Sequence, residues 1–184
     1  MSVKPYLLEP SPNALPEVKD EDIKPLFQKL VGSLIYLAIC TRPDISYAAM
    51  ALGQFNAKPT HAHLLAAKRV LRYLSSTLDL VLEFNFDGGV IPATVGGFIQ
   101  NCAISYADWA SNESDHKSIS GYCFYFLNSL VSWTVVKQKS ISLSSTEAEY
   151  YSLTHAMKEA LWIRLFLTLN SFPVPCPFPL LSDN

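Results

Sequence analysis

The sequence predicts a mixed α/β fold, with a helical unit first and then a sheet crossed by one long helix. Two observations lead to this class. Apolar residues recur at helical spacing over residues 23–76, and three short runs rich in β-branched and aromatic residues follow residue 101, before one long helical segment. The resulting β-β-β-α-β order implies a mixed sheet with the helix packed on one face.

The composition allows a large core and gives no global sign of nucleic-acid binding. The chain has 184 residues, of which 49% are hydrophobic and 16% charged, and its net charge is -2. This length suits one large domain or two small ones. The high apolar fraction suggests that part of the surface normally faces another part of a larger polypeptide. Basic residues cluster only locally, at Lys68, Arg69 and Arg72 and at Lys137 and Lys139.

The cysteines and the N-terminal residues predict an intracellular protein with no membrane partner. The four cysteines show no CxxC spacing and are interpreted as reduced, structural thiols. Residues 1–16 contain no apolar run of the kind found in signal peptides. The apolar run over residues 30–40 is too short to cross a bilayer, which takes about 20 residues, so it predicts a core helix.

The first part of the chain is predicted to be a proline-rich extended arm over residues 1–22, followed by a helical segment over residues 23–100 with a strand near residues 78–86. Thr60 is placed to cap the third helix. The apolar face of that helix is predicted at Ala62, Leu65, Ala66, Val70 and Leu74. The three helices are predicted over residues 24–39, 43–55 and 61–74.

Residues 101–184 are predicted to form the sheet domain. Asn128 and Ser129 suit a tight hairpin turn, and Ser144 with Glu147 three residues later suits a capping box. The strands are predicted over residues 103–110, 120–127, 130–136 and 178–181, and the long helix over residues 146–170.

Glu149 is the strongest candidate for a functional residue. It heads the predicted core-facing stripe of the long helix, whose other members are apolar: Leu153, Ala156, Ala160, Ile163 and Leu167. A carboxylate on such a stripe is costly unless it meets a partner or a metal ion. The alternative is a solvated residue in the first turn, which the helix dipole favours.

Two aspartates lie where strands are predicted to end. Asp183 follows the last strand, and ligands gather at strand ends in mixed sheets. Asp108, in the first strand, is a weaker candidate for a third ligand. The alternative for each is an aspartate in a turn or facing water. Glu149 and Asp183 together suggest a magnesium site for phosphodiester cleavage.

These motifs together resemble the C-terminal part of the Pol polyprotein of copia-type LTR retrotransposons. Three motifs resemble the segment that joins reverse transcriptase to ribonuclease H: LVGSLIYL at 30–37, TRPDI at 41–45 and AKRVLRYL at 67–74. The later motifs resemble the ribonuclease H domain itself. They are ADWA at 107–110, KSISGY at 117–122, SW at 132–133, KQ at 137–138, LSSTEAEY at 143–150, EALW at 159–162 and DN at 183–184.

The resemblance implies a ribonuclease H-like fold, truncated at its C-terminal end and preceded by a small helical connection unit. That family cleaves the RNA strand of an RNA–DNA hybrid with two Mg²⁺ ions held by four carboxylates. It assigns Glu149 and Asp183 as metal ligands. Apart from the resemblance, Lys137 and Lys139 could contact a phosphate backbone, although a charge on an edge strand is the default interpretation. Ser145 is a weaker candidate for such a contact. The implied partners are an RNA–DNA hybrid and the remainder of a Pol polyprotein. The paired aspartates of a polymerase palm are not among these motifs, so no polymerase activity is expected.

The chain departs from the family at the first catalytic carboxylate. The family motif has the form Ser-Asp-Ala-Asp-Trp-Ala, whereas residues 105–110 read Ser-Tyr-Ala-Asp-Trp-Ala, so Tyr106 stands where the first catalytic aspartate belongs. A phenol is neutral at pH 7 and is a poor ligand for Mg²⁺. We therefore expect a domain with little or no activity. The alternative is a non-catalytic module that binds nucleic acid or protein.

Overall fold

The computed structural model describes residues 20–84, 92–93, 97–98, 102–111, 115–126, 129–172 and 179–182. They belong to two compact units that divide between Leu80 and Val81. Most of the predicted N-terminal arm lies outside the described residues. Its last three residues are helical rather than extended, because the first helix begins at Asp20.

The first unit consists of helices joined by short turns. Helix α1 supplies Phe27, Val31, Leu34 and Ala38 to the core, one residue for each turn of the side that faces the other helices. By length and composition alone the segment Asp22–Cys40 is apolar enough to cross a membrane. Its buried stripe identifies α1 as the core helix of this unit. The helices are α1 (Asp20–Cys40), a 3₁₀ turn (Pro43–Ile45), α2 (Ser46–Gly53) and α3 (His61–Ser76).

Helix α3 is formed as predicted, but only part of its predicted buried face is correct. Leu74 is buried and Val70 packs against the core as predicted, whereas Leu65 is exposed and the other buried residues are Leu64 and Ala67. Residues 64–67 are all apolar, so helical spacing fits two neighbouring stripes equally well. Packing against α1 selects the stripe that contains Leu64 and Ala67.

Thr60 caps α3 as predicted, and His63 completes the cap. The Thr60 hydroxyl accepts a hydrogen bond from the His63 backbone N–H at 3.5 Å, and His63 Nδ1 accepts one from the Thr60 backbone N–H at 3.0 Å. The imidazole also stacks on Phe55, with 4.0 Å between the ring centroids. Burial lowers the pKa of His63. The accepting nitrogen must carry no proton, so this capping box requires a neutral imidazole.

The Thr41-Arg-Pro-Asp44 motif has a structural role in the first unit. Arg42 forms a two-point ion pair with Asp44, at 2.9 and 2.7 Å, and donates to the backbone oxygen of Thr77 at 3.0 Å. Its guanidinium lies over the ring of Tyr73. Hydrogen bonding from Arg42 lowers the pKa of Asp44. The motif therefore ties the start of the 3₁₀ turn to the end of α3.

The strand predicted near residues 78–86 is not formed over the residues that the structure describes there. Residues 78–84 are turn and irregular chain, and Leu78, Val81 and Phe84 are exposed. An apolar run forms a strand only when a neighbouring strand takes its backbone hydrogen bonds. The chain divides into its two compact units between Leu80 and Val81, whereas the predicted helical segment extends to residue 100.

The second unit is a four-stranded mixed sheet with one long helix on one face, and the predicted mixed α/β class is confirmed. Strand β3 lies between an antiparallel neighbour, β4, and a parallel one, β6, and the strand order is β5-β4-β3-β6. This order is compatible with a ribonuclease H-like fold. The strands are β1 (Pro92–Ala93) and β2 (Gly97–Phe98), which pair with each other, then β3 (Cys102–Asp108), β4 (Ile119–Phe126), β5 (Ser129–Lys137) and β6 (Leu180–Ser182).

Helix α4 (Ser145–Leu169) packs on the face of the sheet that presents Ala103 and Phe124. The predicted stripe residues Ala156, Ala160 and Ile163 pack in this core. In the first turns, however, the fully buried residues are Ala148 and Ser152. At the N-cap of α4, only one of the two hydrogen bonds of the expected capping box is formed. Ser144 accepts from the Glu147 backbone N–H at 3.1 Å, whereas the Glu147 carboxylate accepts from the Leu143 backbone N–H at 2.6 Å.

The His63 cap predicts that stability falls at mildly acidic pH. The pKa of His63 in the folded protein lies below its unfolded value of about 6.5. Between the two values the unfolded state binds more protons. The contribution of His63 is therefore complete above pH ~6.5 and is lost as the pH falls through the folded pKa. The measurement is urea unfolding of the full chain over this pH range, followed by circular dichroism.

The control for this pH series is His63→Gln, because glutamine at the third helical position also serves a capping box but does not titrate. The variant should show a flatter decline of stability below pH ~6.5. An identical decline in the variant and the natural chain would contradict the role of His63. The exposed neighbour gives a second control, His61→Gln, which should leave the decline unchanged.

Candidate carboxylate site

Glu149 lies where the two parallel strands of the sheet end. Its Oε1 accepts from the Ala107 backbone N–H at 3.3 Å, and its Oε2 accepts from the Ser182 hydroxyl at 3.4 Å. The two strands pair through Ser105 and Ser182, so the amide of Ala107 lies beyond the paired part of β6. Glu149 therefore accepts the hydrogen bond that a longer β6 would otherwise accept from this amide. The carboxylate is partly buried and joins α4 to both strands.

A buried polar network around Gln138 fixes the start of α4 against the sheet. Gln138 is 1% exposed. Its side-chain nitrogen donates to the Ser120 hydroxyl at 2.7 Å and to the Ala148 backbone oxygen at 3.0 Å. Its side-chain oxygen accepts from the Ser142 hydroxyl at 2.9 Å. Gln138 therefore joins strand β4, the loop before α4 and the first turn of α4, one residue from Glu149.

Ser152 adds a second connection between α4 and the sheet, and sequence analysis did not identify it. Its hydroxyl lies 2.6 Å from the backbone oxygen of Tyr106 and 3.3 Å from that of Gly121. Trp109, in the same motif as Asp108, donates from its indole to the Ser142 backbone oxygen at 3.0 Å. A serine inside an apolar stripe is the signal that could have indicated this connection.

Tyr106 lies on the face of the sheet opposite α4. Ala103 packs in the α4 core, and side chains alternate along a strand, so Tyr106 and Asp108 point to the other face. Tyr106 is paired with Gly121 across the β3–β4 ladder. A Cβ built on Gly121 would overlap the outer end of the Tyr106 ring. The ring therefore occupies the space that the glycine leaves open, in the manner of an aromatic residue covering a strand glycine.

The other predicted site residues are not gathered around Glu149. Asp108 is exposed at the end of β3, next to Ile119 in the ladder. Lys137 forms an ion pair with Asp115 at 2.8 Å, and hydrogen bonding from Lys137 lowers the pKa of Asp115. Lys139 and Ser145 are exposed near the start of α4. Asp183 lies outside the described residues.

No magnesium site is complete among the described residues, and the predicted ligand Asp183 lies outside them. No group of three or more histidine, cysteine, aspartate or glutamate side chains that could hold a metal ion occurs among them. Of the predicted ligands, the structure describes Glu149 and Asp108. Both side-chain oxygens of Glu149 accept hydrogen bonds from protein donors. Magnesium requires several oxygen ligands in near-octahedral geometry. In the described part of the chain, Glu149 acts as a hydrogen-bond acceptor for the ends of β3 and β6.

A third group of motif residues forms a buried link between α4 and the middle of the sheet. Ser132 donates to the Glu159 carboxylate at 2.9 Å. Burial, together with the negative charge of Glu159, raises the pKa of Tyr122 to about 12. The ring of Tyr122 also packs edge-on against Phe124. The SGY, SW and EALW motifs therefore contribute to packing rather than to the carboxylate site.

Comparison with known proteins finds clear relatives. The chain is 42% identical over 133 residues to a protein named secreted RxLR effector protein 161 from Plasmopara viticola, covering 72% of this chain and 87% of that protein. It is 40% identical over 158 residues to the retrovirus-related Pol polyprotein from transposon RE1 of Arabidopsis thaliana, covering 86% of this chain and 10% of the polyprotein. It is 38% identical over 184 residues to the corresponding RE2 polyprotein, covering 100% of this chain and 12% of that polyprotein.

The chain thus spans about a tenth of the length of the polyproteins that it matches. No family model matches the chain. No solved structure matches it either.

The contact of Tyr106 with Gly121 predicts a coupled pair of substitutions. Gly121→Ala should destabilise the natural chain by about 1–3 kcal/mol, because the added methyl displaces the ring. In a Tyr106→Ala background the same change should cost much less, since the ring is absent. Urea unfolding followed by tryptophan fluorescence measures both effects, because all three tryptophans lie in the second unit.

The matched control is Gly32→Ala in α1, where the added methyl meets no atom within 4 Å. It should be neutral or stabilising, by up to about 1 kcal/mol, because alanine favours the helix over glycine. Equal costs of Gly121→Ala in both backgrounds would show that the Tyr106 ring does not occupy this space.

Proposed function

This chain belongs to the retrovirus-related Pol polyproteins of copia-type transposons, and we propose that residues 101–184 form a ribonuclease H-like domain that does not hydrolyse RNA. The order of strands around β3 and the position of Glu149 at the head of α4 support the domain assignment. The reaction from which it descends is Mg²⁺-dependent cleavage of the RNA strand in an RNA–DNA hybrid.

The state of Glu149 is the observation that carries the proposal. A carboxylate that binds Mg²⁺ must keep lone pairs for the ion, and each hydrogen bond that it accepts from the protein uses one of its four. Here one oxygen accepts from the Ala107 amide and the other from the Ser182 hydroxyl. The carboxylate therefore serves as the polar partner of the two strand ends.

Tyr106 removes the second requirement for catalysis. A phenol is a poor ligand for Mg²⁺ compared with a carboxylate. The Tyr106 ring is committed to the contact with Gly121. Asp108 is two residues further along the same face, roughly 7 Å away along the strand, and so does not replace a carboxylate at position 106.

A second candidate function is a binding module without catalysis. The protein named as a secreted effector shares 42% identity and is matched over 87% of its length. Related sequence of this length therefore occurs outside the long polyproteins. Of the three residues proposed for nucleic-acid contact, Lys139 and Ser145 are exposed, while Lys137 is engaged by Asp115. An RNA–DNA hybrid and other segments of a Pol polyprotein remain the proposed partners.

Cleavage assays with a labelled RNA–DNA hybrid test the proposal. The natural chain should show no Mg²⁺-dependent cleavage above that of Glu149→Gln. Tyr106→Asp should give detectable cleavage, because it restores the carboxylate that the family motif has at this position. Tyr106→Asn is the matched control, since it has the same size as the aspartate variant but no charge, and it should stay inert.

Cleavage by the natural chain that is abolished in Glu149→Gln would contradict the proposal and indicate that Asp108 or another ligand replaces Tyr106. If Tyr106→Asp and Tyr106→Asn are both inert, Tyr106 is not the sole cause of inactivity. The hydrogen bonds of Glu149 are then the principal cause of inactivity. Ser182→Ala in the Tyr106→Asp background is the next variant to assay.

A further inference from the structure

We propose that a groove along α4 binds one nucleotide unit of single-stranded nucleic acid. The groove has a volume of about 300 Å³, at the lower end of the range for small-ligand pockets. We call it the tyrosine groove, and it is lined by Glu147, Tyr150, Tyr151, Thr154, His155 and Lys158. It lies on a different part of α4 from Glu149 and does not depend on the proposed loss of hydrolysis.

The two tyrosines give the groove aromatic surfaces. Tyr150 is 66% exposed and Tyr151 is 37% exposed, so both rings are accessible. Exposed aromatic surface on neighbouring residues is typical of a ligand or partner site when it forms a continuous patch. Nucleobases stack on such rings without strict sequence preference, because every base has a flat π-face.

His155 adds a hydrogen-bonding group. Its Nδ1 is buried and has no partner among the described residues, and its ring packs against Tyr122 with 5.5 Å between centroids. The imidazole also lines the groove, where its other ring nitrogen can hydrogen-bond to a base or a phosphate.

Lys158 supplies the positive charge. No ion pair of its ammonium occurs in the described part of the chain. Lys158 lines the groove together with Thr154 and His155. The one acid of the groove, Glu147, is held by the Leu143 amide and lies 11 residues away, about 16 Å along the axis.

These groups together select an aromatic ligand that is rich in acceptors and negatively charged. A nucleotide has a flat ring, carbonyl oxygens and a phosphate, and so meets all three. An apolar peptide side chain would use the tyrosines but leave His155 and Lys158 without partners. The volume admits one base, and a base inside a duplex cannot enter it, so the ligand is a single strand.

The test is fluorescence anisotropy of the full chain with labelled oligothymidylate and oligouridylate, in a chelator so that no hydrolysis occurs. Tyr150→Leu should weaken binding by about 5- to 150-fold, the range for loss of one stacked base. Lys158→Gln should weaken binding and lower the slope of log affinity against log salt by about 0.7, the value for one phosphate on a single strand. A hybrid duplex of equal length should bind more weakly.

Tyr36→Leu and Lys58→Gln are the matched controls, because both residues are exposed and lie in the first unit. They should bind like the natural chain. Three results would overturn the proposal: no measurable binding of either oligonucleotide, equal weakening by the controls, or binding that is indifferent to both Tyr150→Leu and Lys158→Gln. Hybrid cleavage has no bearing on this outcome, so the two proposals can fail separately.

Discussion

The second unit depends on a buried amide, Gln138, that has polar partners on three sides. It satisfies Ser120 in the sheet, Ser142 in the loop and the first turn of α4. A buried network of this kind fixes one arrangement, because any shift leaves polar groups without partners at a cost of about 1–3 kcal/mol each. The position of Glu149 follows from it, since Glu149 is the next residue after Ala148, whose backbone oxygen Gln138 holds.

The sequence motifs divide by role once the contacts are known. Arg42 and Asp44 close the helical unit, and Gln138, Tyr122 and Glu159 hold α4 on the sheet. The residues with exposed polar or aromatic groups near the start of α4 are different: Asp108, Lys139, Ser145 and Tyr150. A family resemblance alone does not separate the two classes, because a packing motif and a catalytic motif are equally recognisable in sequence. Only hydrogen-bond partners and burial distinguish them.

Much of the fold could be predicted from sequence because its patterns are local. The caps at Thr60 and Ser144 and the period of the strands placed most elements within a few residues. The buried face of α3 could be predicted only in part, because Leu64 to Ala67 fit two stripes and the choice belongs to α1. The strand near residue 80 failed for a similar reason, since pairing depends on a distant neighbour. For the candidate site, sequence identified Glu149 but not its donors, Ala107 and Ser182, which are brought together only by the sheet.

The central proposal is that Glu149 holds the ends of β3 and β6 and binds no Mg²⁺ in the natural chain. The most direct measurement is the backbone amide resonance of Ala107, followed by NMR as Mg²⁺ is added to the natural chain, with Glu149→Gln as the reference. The account predicts that Ala107 shows no saturable shift, because its hydrogen bond to Glu149 stays intact. A saturable shift in the natural chain that is absent from Glu149→Gln would show that the carboxylate leaves Ala107 to bind the ion, and would contradict the account.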